Sequence, residues 1–219
     1  MKKSKLLAIG LVALATTALS KEVLAQDTNA KLSLVPSTGE HEVVEPIDDK
    51  ENDKTGQTGS FTLDIIPQFN FGSEELSSAG NALKLDGTVS RAAQVTDGRG
   101  GSQGWELSLG MSEFSNDDKT AVGDASKLKG VSLDTQIVDA VTTADSLSGA
   151  PTYNAVKILP NETRIVMSAA KGSGKGMGSW LAYFSKGSGA ANKTTLSIPQ
   201  GNYTGSYTAT LTWTLSTTP

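Results

Sequence analysis

The last thirteen residues, Tyr207 to Pro219, read YTATLTWTLSTTP. Tyr207, Ala209, Leu211, Trp213 and Leu215 fall on one side of a period-two pattern, and Thr208, Thr210, Thr212 and Thr214 on the other. Such alternation specifies a half-buried β-strand with an apolar face and a hydroxyl face. The threonines are β-branched, so the polar face favours extended backbone as well. A helix would scatter the five apolar side chains around its circumference. A second stretch repeats the pattern: Trp105, Leu107, Leu109 and Met111 alternate with Glu106, Ser108 and Gly110. Both strands carry Trp-x-Leu-Ser, at 105–108 and 213–216, while their flanks do not repeat. The pair is therefore no solenoid period.

The same punctuation runs through the chain. Ala30–Val35, AKLSLV, alternates Leu32 and Leu34 with Lys31 and Ser33 and reads as a short first strand. Phe61–Ile66, Ala82–Leu85, Val89–Thr96, Tyr153–Leu159, Thr163–Ala169, Trp180–Phe184 and Thr194–Ile198 read as strands, with weaker ones at Leu128–Leu133 and Gln136–Val141. The Gly-rich connection 97–104 reads as the tip of a hairpin between Val89–Thr96 and the Trp105 strand, and Pro160-Asn161 as a turn. No segment holds a 3.6-residue stripe over three turns. About ten short strands with Gly, Pro and Asn turns predict an all-β fold, an antiparallel β-sandwich or barrel-like domain with long glycine-rich and acidic loops.

The N-terminus reads as a secretory signal peptide over 1–25. Lys2, Lys3 and Lys5 precede the apolar run Leu6–Leu19, and Val23-Leu24-Ala25 is a small-residue cleavage site before Gln26. Fourteen apolar residues are short for a membrane span, which needs about 20. The expected product is one domain, 26–219, exported and without a span. Within it 30–35 is the first strand, 36–59 an acidic mobile loop and 60–219 the main β domain. The loop holds Glu40, Glu42, Glu45, Asp48, Asp49, Glu51 and Asp53 against Lys50 and Lys54. No sorting signal follows, so any retention on a cell is expected without a covalent anchor.

Charge and residue inventory exclude several chemistries. The full chain has 19 basic and 23 acidic residues; without Lys2, Lys3, Lys5, Lys21 and Glu22 it has 15 and 22, a net charge of −7. That is wrong for a nucleic-acid binder, whose surface must be basic. There is no cysteine and one histidine, His41, in the acidic loop. A zinc site or Ser-His-Asp system is not expected. The glycine loop 171–179 fails the phosphate-loop pattern at Ala169 and Gly176. Asn116-Asp117-Asp118 lacks the spacing of a calcium loop. No catalytic residues, metal or cofactor are expected, and nothing favours a carboxylate pair for glycan hydrolysis.

Aromatic chemistry remains. Tryptophan stacks on sugar C–H bonds and donates its N–H. The clean apolar faces argue for core packing of Trp105, Leu107, Trp213 and Leu215, with glycan contact as the alternative. Trp180, after the glycine loop, is the tryptophan best placed for exposure. Two Trp-x-Leu motifs, the second in the C-terminal strand, resemble the WxL domain of Gram-positive surface proteins. FNFG at 69–72, QVTDGRG at 94–100, GWELSL at 104–109, SAAKGSGKGMGSW at 168–180 and LSIP at 196–199 follow in that family's order. The resemblance implies a small, non-catalytic protein of the Gram-positive cell surface, attached non-covalently to the wall through peptidoglycan. It implies surface complexes with membrane-anchored WxL-interacting proteins and other WxL proteins. Trp105, Leu107, Trp213 and Leu215 are its motif residues. The competing reading is a protein–protein module whose main ligand is such a partner, bound through a strand edge at 208–214 or 30–35.

Overall fold

The computed structural model describes residues 30–45, 52–144, 146–187 and 192–218. The expected signal peptide lies outside the described residues. Residues 34–219 form one compact unit, which contains every strand.

Fifteen strands occur among the described residues, and every pairing between them is antiparallel. The first sheet has the order β1 (Asn52–Lys54), β2 (Phe61–Pro67), β4 (Arg91–Asp97), β12 (Gly178–Ser185), β8 (Asp139–Thr142). The second runs β10 (Val156–Ile158), β7 (Ser132–Thr135), β13 (Thr195–Ile198), β3 (Asn81–Lys84). The third runs β15 (Leu211–Ser216), β5 (Trp105–Met111), β11 (Glu162–Ala169), β9 (Thr152–Tyr153). A two-stranded ribbon joins β14 (Tyr207–Thr208) to β6 (Ser115–Asn116). The fold is all-β and sandwich-like, as the alternation predicts.

Inward faces of all three large sheets meet in one apolar cluster. Leu63, Val95 and Phe184 come from the first, Leu133 and Leu196 from the second, Leu107 and Met167 from the third. β15 keeps its period: Leu211, Trp213 and Leu215 are half-buried against this cluster, and Thr212, Thr214 and Ser216 are exposed. Its register on β5 pairs Trp213 with Leu109 and Leu215 with Leu107. The two Trp-x-Leu strands therefore lie side by side, a relation that their 108-residue separation hides.

Four expectations change. The tail is two strands rather than one, because Tyr207–Thr208 pairs with β6 before the chain crosses to β5 at Leu211. Val89–Thr96 and the Trp105 strand are not a hairpin: β4 and β5 belong to different sheets. The glycine-rich 97–104 link crosses between them, held where Arg99 bonds the Asp97 carboxylate (2.8 Å) and the Gly104 carbonyl (3.1 Å). Ala30–Val35 forms no strand, and Leu32, Leu34 and Val35 are 84, 86 and 82% exposed. The alternation there is genuine, but among the described residues no sheet edge takes it up. The 36–59 segment is more than a loop, since Asn52–Lys54 pairs with β2 as β1.

Residues 37–45 also lie across the outer face of the first sheet, which explains why every residue of β4 is buried. Val43 and Val44 pack on Ala92, Leu181 and Tyr183. The Gln94 amide donates to the Glu42 carbonyl (3.0 Å) and accepts from the Val44 N–H (2.9 Å). Tyr183 Oη donates to Glu45 (2.9 Å). His41 Nε2 lies 2.9 Å from the Gly59 carbonyl, a structural contact.

Candidate functional site: an aromatic cleft backed by the tryptophans

Trp105 and Leu107 are fully buried at 0% exposure. The Trp105 Nε1–H donates to the Gly176 carbonyl at 3.0 Å. Trp180, expected near the surface, is 6% exposed, and its Nε1–H donates to the Met177 carbonyl at 3.1 Å. The glycine loop thus folds over two indoles and satisfies both of their donors, as buried N–H groups require. Gly176 has φ +71°, and a Cβ there would meet Ala169 Cβ at 2.6 Å and the Trp105 ring at 3.0 Å. Close approach of backbone to indole accounts for that glycine. The glycine richness that suggested exposure serves burial.

Trp213 plays a different part. Its ring meets Phe184 edge-on at 5.4 Å and Phe69 at 6.3 Å. Phe69 meets Phe184 at 5.4 Å and Phe71 at 6.4 Å, again edge-on. These spacings suit aromatic pairs. The series runs outward from core to surface, and Phe69 and Phe71 line a cleft of about 670 Å³. Leu215, on the same strand, packs half-buried behind it.

Two connections build the cleft walls, the segment after β2 (68–76) and the one after β13 (202–209). Its floor includes Leu133 and Leu196 from the second sheet and Leu211 from the third. Side chains pin each wall. Asn202 donates to the carbonyls of Pro199 (2.9 Å) and Lys129 (3.1 Å) and accepts from the Lys129 N–H (2.7 Å). Asn81 donates to the Glu75 carbonyl (2.9 Å) and accepts from the Ser77 N–H (3.0 Å). Tyr207 Oη donates to the Tyr203 carbonyl at 3.1 Å. Tyr203 itself is 55% exposed.

The cleft is nearly neutral, with Glu74 as its charged lining residue among amides, hydroxyls and rings. The chemistry of such a lining suits a neutral, hydroxyl-rich ligand better than an ionic one, through stacking and hydrogen bonds. Among the described residues no three His, Asp or Glu side chains gather to hold a metal. No helix among them is long and apolar enough to cross a membrane. The structure brings Trp213 to the cleft from behind; it keeps Trp105, Leu107 and Trp180 in the core. Sequence reasoning missed Phe71 and Tyr203, although FNFG already carried a signal in its alternating Phe69 and Phe71.

No curated protein and no solved structure matches this chain. Over residues 21–219 the sequence matches the family described as WxL domain, surface cell wall-binding. The chain is a cell-surface protein of that family, the WxL domains that bind the cell wall.

Proposed function

We propose that the mature chain, 26–219, is a non-catalytic module that holds to the wall through peptidoglycan, taken up as glycan in the aromatic cleft. The observation that carries this reading is the cleft itself: about 670 Å³, within the range of small-ligand sites, lined by Phe69, Phe71 and Tyr203 and almost uncharged. A protein with net charge −7 after signal removal is repelled by anionic wall polymers, so contacts other than bulk charge have to supply affinity. The test is co-sedimentation with sacculi stripped of protein and teichoic acid. Saturable pelleting that is lost in a Phe71→Ala/Tyr203→Ala variant with an unchanged melting temperature supports the cleft. Pelleting that the double variant leaves intact refutes it.

In the surface complex we propose, the wall-bound domain joins membrane-anchored WxL-interacting proteins or other WxL proteins. Retention on cells that lack those partners distinguishes wall attachment from anchoring by a partner. Loss of retention there, with no pelleting on bare sacculi, makes the partner the main ligand.

A further inference from the structure

The longest sheet edge among the described residues is unguarded. β15 pairs with β5 on one side only and ends its sheet. It has six residues, whereas the other edge strands of the three large sheets have two to four. The Ser112 N–H donates to the Thr210 carbonyl (2.9 Å), which places Thr210 in a hydrogen-bonded pair facing β5. Counting by two, Thr212, Thr214 and Ser216 face β5 as well, in unbroken register. The N–H and C=O groups of Leu211, Trp213 and Leu215 then point outward. Sheet edges are ordinarily blunted by charge, proline or a bulge. From Tyr207 to Thr218 there is no charged residue and no proline, and the β15 register has no bulge.

A second feature has the opposite need. Leu32, Leu34 and Val35 stand 82–86% exposed in a segment whose alternation is that of a strand, yet it pairs with nothing among the described residues. Its length matches β15. If it lies along that edge, Leu32 and Leu34 fall on the Leu211–Trp213–Leu215 face, while Lys31 and Ser33 fall on the threonine face.

We propose that Ala30–Val35 of one copy adds as a strand to the outer edge of β15 of a second copy. The exchange is reciprocal, since each copy carries one donor segment and one acceptor edge, and it closes as a two-fold dimer. Main-chain bonds to Leu211, Trp213 and Leu215 supply the pairing, and the two leucines supply the apolar face. The acceptor edge shares β15 with the cleft, whose floor includes Leu211, so on the glycan reading proposed above each copy of the dimer brings its own cleft beside the added strand.

The absence of cysteine makes the test clean. The mature chain is expected to sediment as a concentration-dependent dimer. A Leu32→Asp/Leu34→Asp variant is expected to be monomeric with an unchanged melting temperature, because both positions are exposed in the single copy. When a Ser33→Cys chain is mixed with a Thr214→Cys chain and oxidised, the mixed disulfide is expected to exceed either homodimer severalfold. A wild-type protein that stays monomeric at its highest soluble concentration overturns the proposal. So does a dimer that survives the double variant, or one that gives no mixed disulfide and hence uses another surface.

Discussion

Replacing Trp105 by Ala tests whether the first Trp-x-Leu tryptophan acts on the wall or on the fold. The ring is 0% exposed, packed under the glycine loop, with its Nε1–H on the Gly176 carbonyl. Truncating a buried tryptophan costs about 3–5 kcal/mol through lost transfer energy and the cavity left behind. Leaving the Gly176 carbonyl without its donor adds about 1 kcal/mol or more where water does not reach it. Domains of this size hold roughly 5–15 kcal/mol in all, so the variant approaches unfolding at the lower end. At about 2–4 °C per kcal/mol the melting temperature falls by roughly 10–20 °C. Trp105→Phe keeps most of the ring and loses the N–H, so it separates the two contributions and should cost about 1–3 kcal/mol. The assay is a thermal melt by circular dichroism beside sacculus pelleting well below the variant's transition. The folded fraction of Trp105→Ala should pellet as well as wild type. A variant that melts within about 1 kcal/mol of wild type but no longer pellets would refute the assignment of Trp105 to the core.

Trp213→Ala should lose less stability than Trp105→Ala, because the ring is half-buried, but more pelleting, because Phe69 loses its edge-on support; a binding curve and a melt on both variants decide the order. Gly176→Ala should destabilise by more than the roughly 1–2 kcal/mol of a left-handed alanine, since its Cβ also meets Ala169 at 2.6 Å, and a denaturant melt reads this. Burial, followed by its bond to Glu45, pushes the Tyr183 hydroxyl well up from 10, and burial with the nearby Asp139 charge pushes Tyr153 up to about 12. Raised folded-state values mean stability complete below pH ~10 and lost as pH climbs through the folded values, so melting temperature should fall at alkaline pH alongside the rise of tyrosinate absorbance. In acid, the Lys186 hydrogen bond holds Asp139 below 3.8, so its contribution is present above that value and fades beneath it; Lys186→Met should flatten this part of the melting-temperature profile.

The alternation in 105–111 and 211–215 was enough to specify strands, the inward faces and an all-β fold. It was not enough to pair β5 with β15, because register between distant strands is set by tertiary packing. Composition misled in three places, each for a physical reason. Glycine richness over 171–179 suggested an open loop, yet these glycines let backbone close over Trp105 and Trp180. Charge over 36–59 suggested a bare solvated segment, and masked the two valines that cover Ala92 and Leu181. Alternation over 30–35 suggested a strand within the chain, although a strand needs an edge as well as a pattern. The cleft was barely legible. Its walls lie over a hundred residues apart in sequence, and the phenylalanines of FNFG gained meaning only when Trp213 and Phe184 were found behind them.

This arrangement divides the work between the two tryptophans of the motif. Trp105 closes the sandwich at the glycine loop and touches nothing outside. Trp213 sits on an edge strand with its ring toward Phe69, so the same side chain faces the core and steadies the cleft wall. A motif residue can therefore be essential for wall attachment without touching the wall. Binding loss on its mutation does not identify it as a ligand contact, and Phe71 and Tyr203, which line the cleft, are the positions that test the proposed glycan contact directly. The uncharged character of β15 follows the same logic. Its apolar face has to meet the aromatic series from within, its backbone edge stays open, and a chain that keeps charge off this strand keeps that edge available for another strand.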